Sequence, residues 1–180
     1  NPDQDVWDGL TATQTTVPVT VTTAAGAKGG KLNSNQTWNL TGDVTATNAT
    51  IDLNGFNLKI VGDYDMSITY AGTAVSAALI SSNAAQAANV WISGSTVSLI
   101  ANSAQPGFAV EAMNINQFYV SDGASLTVNK TATANAEGTI WHTDAGSYST
   151  YGKVTDNNTV LYVVGSNVTF SNGTTAGSGG

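Results

Sequence analysis

Apolar and polar residues alternate along much of this chain, and the alternation repeatedly breaks at a glycine and then resumes. The clearest segment is Ile51-Asp52-Leu53-Asn54-Gly55-Phe56-Asn57-Leu58-Lys59-Ile60. Similar segments are Val90-Trp91-Ile92-Ser93-Gly94 leading to Val97-Ser98-Leu99, and Phe118-Tyr119-Val120-Ser121-Asp122-Gly123 leading to Leu126-Thr127-Val128. A fourth is Leu161-Tyr162-Val163-Val164-Gly165 leading to Val168-Thr169-Phe170. Each time an apolar residue falls three positions after the glycine and another two further on. Period-two alternation on both sides of a glycine predicts strand, corner, strand. Its repetition predicts stacked β-coils. A weaker copy stands at Trp38-Asn39-Leu40-Thr41-Gly42-Asp43-Val44.

Two all-β architectures compete for this pattern. Asn54-Gly55 is a strong hairpin signal, and four hairpins would build an antiparallel β-sandwich of the jelly-roll or immunoglobulin-like kind. A type I′ hairpin turn, however, needs positive φ at both central residues, and Val164-Gly165 would place a β-branched residue there. A coil corner needs only the glycine in the left-handed region. The solenoid therefore accounts for all four copies. Residues 66–78, 108–115 and 139–156 leave room for at least one further strand per turn. The alanine-rich stretch 71–88 lacks caps and carries Ser81-Ser82-Asn83 at its centre, so no helix is expected there.

Residues 49–63, read as Ala-Thr-Ile-Asp-Leu-Asn-Gly-Phe-Asn-Leu-Lys-Ile-Val-Gly-Asp, resemble rungs of the right-handed parallel β-helices of the pectate-lyase-like superfamily. Autotransporter passengers and related adhesins are nearest in texture. The resemblance runs over about residues 38–173 and is one of rung grammar rather than of an active-site signature. Right-handedness is what it implies; spacing alone does not give it. In such a coil the interior positions are Ile51, Leu53, Leu58, Ile60, Val90, Ile92, Val97, Leu99, Val120, Leu126, Val128, Leu161, Val163, Val168 and Phe170. Asparagines at corners (Asn54, Asn57, Asn129, Asn172) suit side-chain ladders, as well as simple turn preference.

The whole chain, 1–180, reads as one β-solenoid domain. Its segment 1–31 includes a β-rich stretch, 15–23, in which Pro18 excludes a central position in a sheet; an edge or swapped strand is expected, with Val17, Val19 and Val21 as its assembly residues. A Gly/Ser tail, 171–180, is expected to be flexible in isolation. Neither terminus shows a cap, and uncapped coils expose apolar cross-sections and open strand edges.

Composition narrows the function. Charged residues make up 9% of the chain, no arginine is present, and the net charge is -7. Nucleic acid is a poor partner for such a surface. Thr, Asn, Ser and Gly must supply the wetted surface, as in secreted bacterial surface proteins. There are no cysteines, hence no disulfides or thiolate sites. No run approaches the ~18 apolar residues of a membrane span. A start at Asn1 is read as a removed signal peptide or a trimmed fragment. The location expected is extracellular or cell-surface.

Candidate chemistry is thin. His142 is the only histidine, with Asp144 nearby; Glu111 and Glu137 have no evident partner in the sequence. The superfamily's lyases use basic residues that a chain without arginine lacks, and its hydrolases need facing carboxylates, for which Asp63 and Asp65 are the nearest pair. No catalytic residue is assigned, and no cofactor is expected except calcium at the loop Asp3, Asp5, Asp8. Asn35, Asn39, Asn48, Asn129, Asn157, Asn167 and Asn172 head Asn-x-Ser/Thr sequons, a number only mildly above chance in so Asn- and Thr-rich a chain. The densest aromatic surface segment holds Trp141, His142, Tyr148 and Tyr151, a candidate contact with a glycan or receptor. Trp7, Trp38 and Trp91 read as packing residues. The function expected first is a self-assembling extracellular structural subunit of a filament or layer, a homopolymer joined through its coil ends. An adhesin or passenger fragment comes second, and a carbohydrate-active enzyme third.

Overall fold

A computed structural model describes residues 14–15, 31–71, 77–102, 108–131, 140–142, 152–154 and 158–172. Their secondary structure is entirely β. A short β1 (Gln14–Thr15) precedes a first circuit of β2 (Gln36–Asn39), β3 (Val44–Thr47) and β4 (Ile51–Asp52). The second circuit is β5 (Leu58–Val61), β6 (Asp65–Tyr70) and β7 (Ala77–Ile80), and the third β8 (Ala88–Ser93), β9 (Thr96–Ala101) and β10 (Phe108–Glu111). A fourth follows with β11 (Ile115–Ser121), β12 (Ser125–Lys130) and β13 (Trp141–His142), then β14 (Val160–Val164) and β15 (Asn167–Asn172).

These strands form three sheets. Sheet 1 is β1-β2-β5-β8-β11-β14, sheet 2 is β3-β6-β9-β12-β15, and sheet 3 is β4-β7-β10-β13. The chain visits them in the cyclic order 1, 2, 3, and each circuit adds one strand to each sheet. Every strand pair is parallel. The antiparallel sandwich is thereby set aside. Segments flanking a glycine do not pair with each other; each pairs with its counterpart one circuit away.

The corners explain why the hairpin signal misleads. Asn54 and Gly55 both have positive φ (51° and 83°), and the Phe56 N–H donates to Leu53 O at 2.8 Å. Asp122 and Gly123 repeat this, with Ala124 N–H donating to Ser121 O at 3.0 Å. Both are tight turns of the hairpin type, yet the strands leaving them are claimed by the previous circuit's edge. At Gly94 and Gly165 only the glycine turns left-handed, as a coil corner requires. The four copies are also not one series. Gly94, Gly123 and Gly165 turn the chain from sheet 1 to sheet 2, whereas Gly55 turns it from sheet 3 to sheet 1. The corners of the first two circuits that match the other three are Gly42 and Gly62.

Inward side chains of successive circuits stack in columns. One in sheet 1 runs Trp38, Ile60, Ile92, Val120, Val163 by register. In sheet 2 another runs Ala46, Ile68, Leu99, Val128, Phe170. Sheet 3 contributes Ile51, Leu79, Val110 and Trp141. Each inward side chain except the terminal ones is covered by two neighbours, and burying one contributes about 1.5–3 kcal/mol. Sheets 1 and 2 mostly alternate buried with half-exposed residues, while β7 and β10 are buried throughout. Parallel strands covered on both faces read as apolar runs without alternation, which is why Ala77–Ile80 did not stand out as a strand in the sequence.

Eleven of the fifteen expected interior residues are buried; the four in β14 and β15 are not. Leu161 and Val168 are half-buried, and Val163 and Phe170 are exposed at 44% and 47%. No further described strand lies on that side. Trp38, read as a packing residue, is buried, as are Phe118, Met66 and Ile68, which the expected interior left out. β1 pairs with β2 at the outer edge of sheet 1; of the expected edge stretch 15–23 only Thr15 lies among the described residues. Ser171 and Asn172 belong to β15 rather than to a tail.

Candidate functional site

Two features of the molecule offer surfaces to a partner, and both meet at the C-terminal circuit. The first is the end formed by β14 and β15, the last described strands. Residues 158–172 carry no charged side chain. β14 and β15 are the outermost described strands of sheets 1 and 2, so one edge of each has no paired strand among the described residues. Edges of this kind are usually blunted by charge, proline or a bulge; none of these is present in 158–172. Inside this end, Trp141 meets the Phe118 ring edge-on at 4.8 Å and the Phe170 ring at 5.8 Å.

The second is an outward column on sheet 1: Thr37, Lys59, Trp91, Tyr119, Tyr162. The Lys59 ammonium sits 3.8 Å from the Trp91 ring centroid. Trp91 and Tyr119 lie 5.1 Å apart with a 31° tilt, and Tyr119 meets Tyr162 nearly perpendicular at 6.4 Å. Beside the column, Trp91 Nε1 donates to Ser121 Oγ at 2.8 Å. Ser93 and Ser121 both donate to Asp122 Oδ2, holding that carboxyl below its ordinary value. The ring faces are used within the column itself, so it acts first as a brace across circuits.

Sheet 3 carries the only described ion pair. His142 Nδ1 lies 2.8 Å from Glu111 Oε1, and the imidazole stacks on Phe108 with centroids 4.4 Å apart. Glu111 therefore has a partner that sequence spacing concealed, because the register Glu111↔His142 spans a whole circuit. Burial pushes the Glu111 carboxyl up, against the hydrogen bond and charge of His142. Among the described residues no nucleophile is bonded to this pair. Lys130, at the inward end of β12, is buried, and desolvation lowers its pKa.

Side chains also tie the corners together. Asn35 Oδ1 accepts from the Asn57 N–H and Asn57 Oδ1 from the Asn89 N–H, each at 2.9 Å, so Asn57 does stand in a ladder. Asn54 donates through Nδ2 to Leu32 O at 3.1 Å and accepts at its own carbonyl from Asn83. Buried Asp52 accepts from the Asn54 N–H, the Ser82 N–H and the Ser82 hydroxyl. These bonds satisfy corner groups that a coil would otherwise bury unpaired.

The remaining expected site residues fall as follows. Asp3, Asp5, Asp8, Val17, Val19, Val21, Asp144, Tyr148, Tyr151 and Asn157 lie outside the described residues, as do Trp7 and Glu137. Asn35, Asn48 and Asn167 are exposed, and Asn39 and Asn129 are half-exposed; for Asn172 only its place in β15 is described. Asp63 and Asp65 are exposed. Trp141 points to interior neighbours and His142 to Glu111, so the described half of that aromatic segment is engaged within the molecule. Among the described residues no group of three or more His, Asp or Glu side chains could hold a metal ion, and no helix is long and apolar enough to cross a membrane. No family model, no curated protein and no solved structure matches the chain.

Proposed function

We propose that this chain is an extracellular structural subunit, a right-handed parallel β-solenoid that associates end to end into a filament or layer. The observation that carries the reading is the C-terminal circuit: inward columns that are buried through the middle circuits finish at half-exposed Leu161 and Val168 and exposed Val163 and Phe170. Beside them stand two strand edges free of charge. Strand addition is the ordinary fate of such an edge, with main-chain bonds for affinity and side-chain columns for register. A head-to-tail contact between identical copies does not close on itself and grows into a filament. Right-handedness is supported by the strong preference of parallel crossover connections within one sheet, together with the superfamily resemblance. The extracellular setting is supported by a surface built of Thr, Asn, Ser and Gly with few charges.

Sedimentation velocity over a concentration series, paired with electron microscopy of the concentrated sample, tests this. Growth of larger species with concentration, resolving into filaments or sheets, is expected. A monomer at every concentration and salt condition overturns the reading.

A further inference from the structure

The outward face of β14 is apolar at all three of its positions, whereas each strand beneath it carries at least one polar residue there. Its first outward position continues a row that is Asn57, Asn89 and Gln117 in the three preceding circuits, and there the residue is Val160. Its last outward position continues a row that is Ser93 and Ser121 in the two preceding circuits, with Val61 before them; there the residue is Val164. Between them stands Tyr162, the end of the aromatic column. Val160 and Val164 are exposed at 42% and 52%. In the inner circuits Asn89 and Ser121 are themselves buried in these rows; at β14 three successive outward positions are apolar and two of them are open to water, which gains nothing unless the face is covered in the working state.

We infer that the contact with a second copy of this chain does not stop at the end face but wraps onto the outer face of sheet 1, covering Val160, Tyr162 and Val164. This rests on the end-to-end reading and names the surface it uses. A second copy is the occupant for two reasons. Each circuit already seats the next through the same columns, so the end face continues a contact repeated along the whole molecule. The patch, moreover, is uncharged and asks for an uncharged, β-forming partner. At the opposite end β3 offers one: Val44, Thr45, Ala46 and Thr47 form the outermost described strand of sheet 2, half-exposed or exposed and without charge. Nucleic acid and charged surfaces have nothing to pair with here.

The test restores to β14 the residues that β11 carries at the same register, as the double variant Val160→Gln with Val164→Ser. Since Gln117 and Ser121 hold those positions one circuit below, the monomer is expected to keep its circular dichroism and melting temperature. Its self-association, read by sedimentation, should weaken at least tenfold. Val61→Ser, outward in an inner circuit, should leave association unchanged. If the double variant loses stability, Val160→Thr with Val164→Thr preserves β-branching and is read in its place. Undiminished association of the folded variant overturns the wrapped contact while leaving end-on assembly standing, and equal weakening by Val61→Ser overturns it too. A wild type that never associates removes the end-to-end reading itself. Wild-type monomer that binds a neutral glycan array through this face, lost in the double variant, gives the patch to a glycan and likewise overturns the inference.

Discussion

Gly62 shows how tightly one corner is drawn. Its φ of +114° lies where side chains are strained, and a Cβ there would stand 2.5 Å from the Leu40 carbonyl oxygen. At Gly123 the φ is +76° and a Cβ would meet nothing within 4 Å. Gly123→Ala should therefore cost only the left-handed penalty, about 1–2 kcal/mol. Gly62→Ala should cost clearly more, because the backbone of the preceding circuit must give way. Urea denaturation of the two variants checks the order, and equal losses would contradict it. A second residue-scale expectation concerns Glu111. Since burial raises its folded-state pKa above the ordinary 4.5, the folded chain holds this proton more tightly than the unfolded chain does. Its contribution is complete below pH 4.5 and is lost as pH rises through the folded value. Glu111→Gln should remove that downward slope, seen as urea midpoints that fall less between pH 4.5 and neutrality than those of the wild type. Parallel slopes for the two proteins would show that His142 offsets the burial in full. Asp122, whose pKa is lowered, works in the opposite sense and is lost only as pH falls below 3.8.

Strands differ in how plainly the sequence announces them, and the reason is which faces they bury. β8, β9, β11 and β12 bury mainly one face each, so Val97, Leu99, Leu126 and Val128 alternate with polar neighbours and their place is legible. β7 and β10 bury both faces, read Ala-Ala-Leu-Ile and Phe-Ala-Val-Glu, and give no alternation. The Glu111–His142 contact was hidden for the same reason, since it joins two sheet 3 strands a full circuit apart. The Gly55 corner was assigned to the wrong series because local turn chemistry is blind to which sheet a strand enters. Phe170 alternates with polar neighbours and Val163 keeps the register of a buried column, yet both are exposed, because burial depends on a covering circuit and not on spacing alone. That gives a prediction within one column. Val120→Ala, at a fully buried site, should cost about 2 kcal/mol in transfer and cavity terms. Val163→Ala, same residue type and same register, should cost under about 1 kcal/mol in dilute protein. Chemical denaturation at low concentration distinguishes them, and a comparable loss at Val163 would mean that the end is already covered.

At the scale of the whole molecule the chain is a stack of near-equivalent circuits in which each one seals the last. Such a stack has no intrinsic length, and its stability is a sum of circuit-on-circuit contacts. On the proposed reading its function depends on what meets the outermost described circuit, whose strands β14 and β15 are uncharged, apolar inside and partly apolar outside. Hydrogen–deuterium exchange of wild-type protein at low and high concentration, resolved by peptide, tests this most directly. The account predicts that amides of β14 and β15 exchange more slowly as concentration rises, while those of β5, β6, β8 and β9 keep the same rates. Exchange in β14 and β15 that does not change with concentration would contradict it.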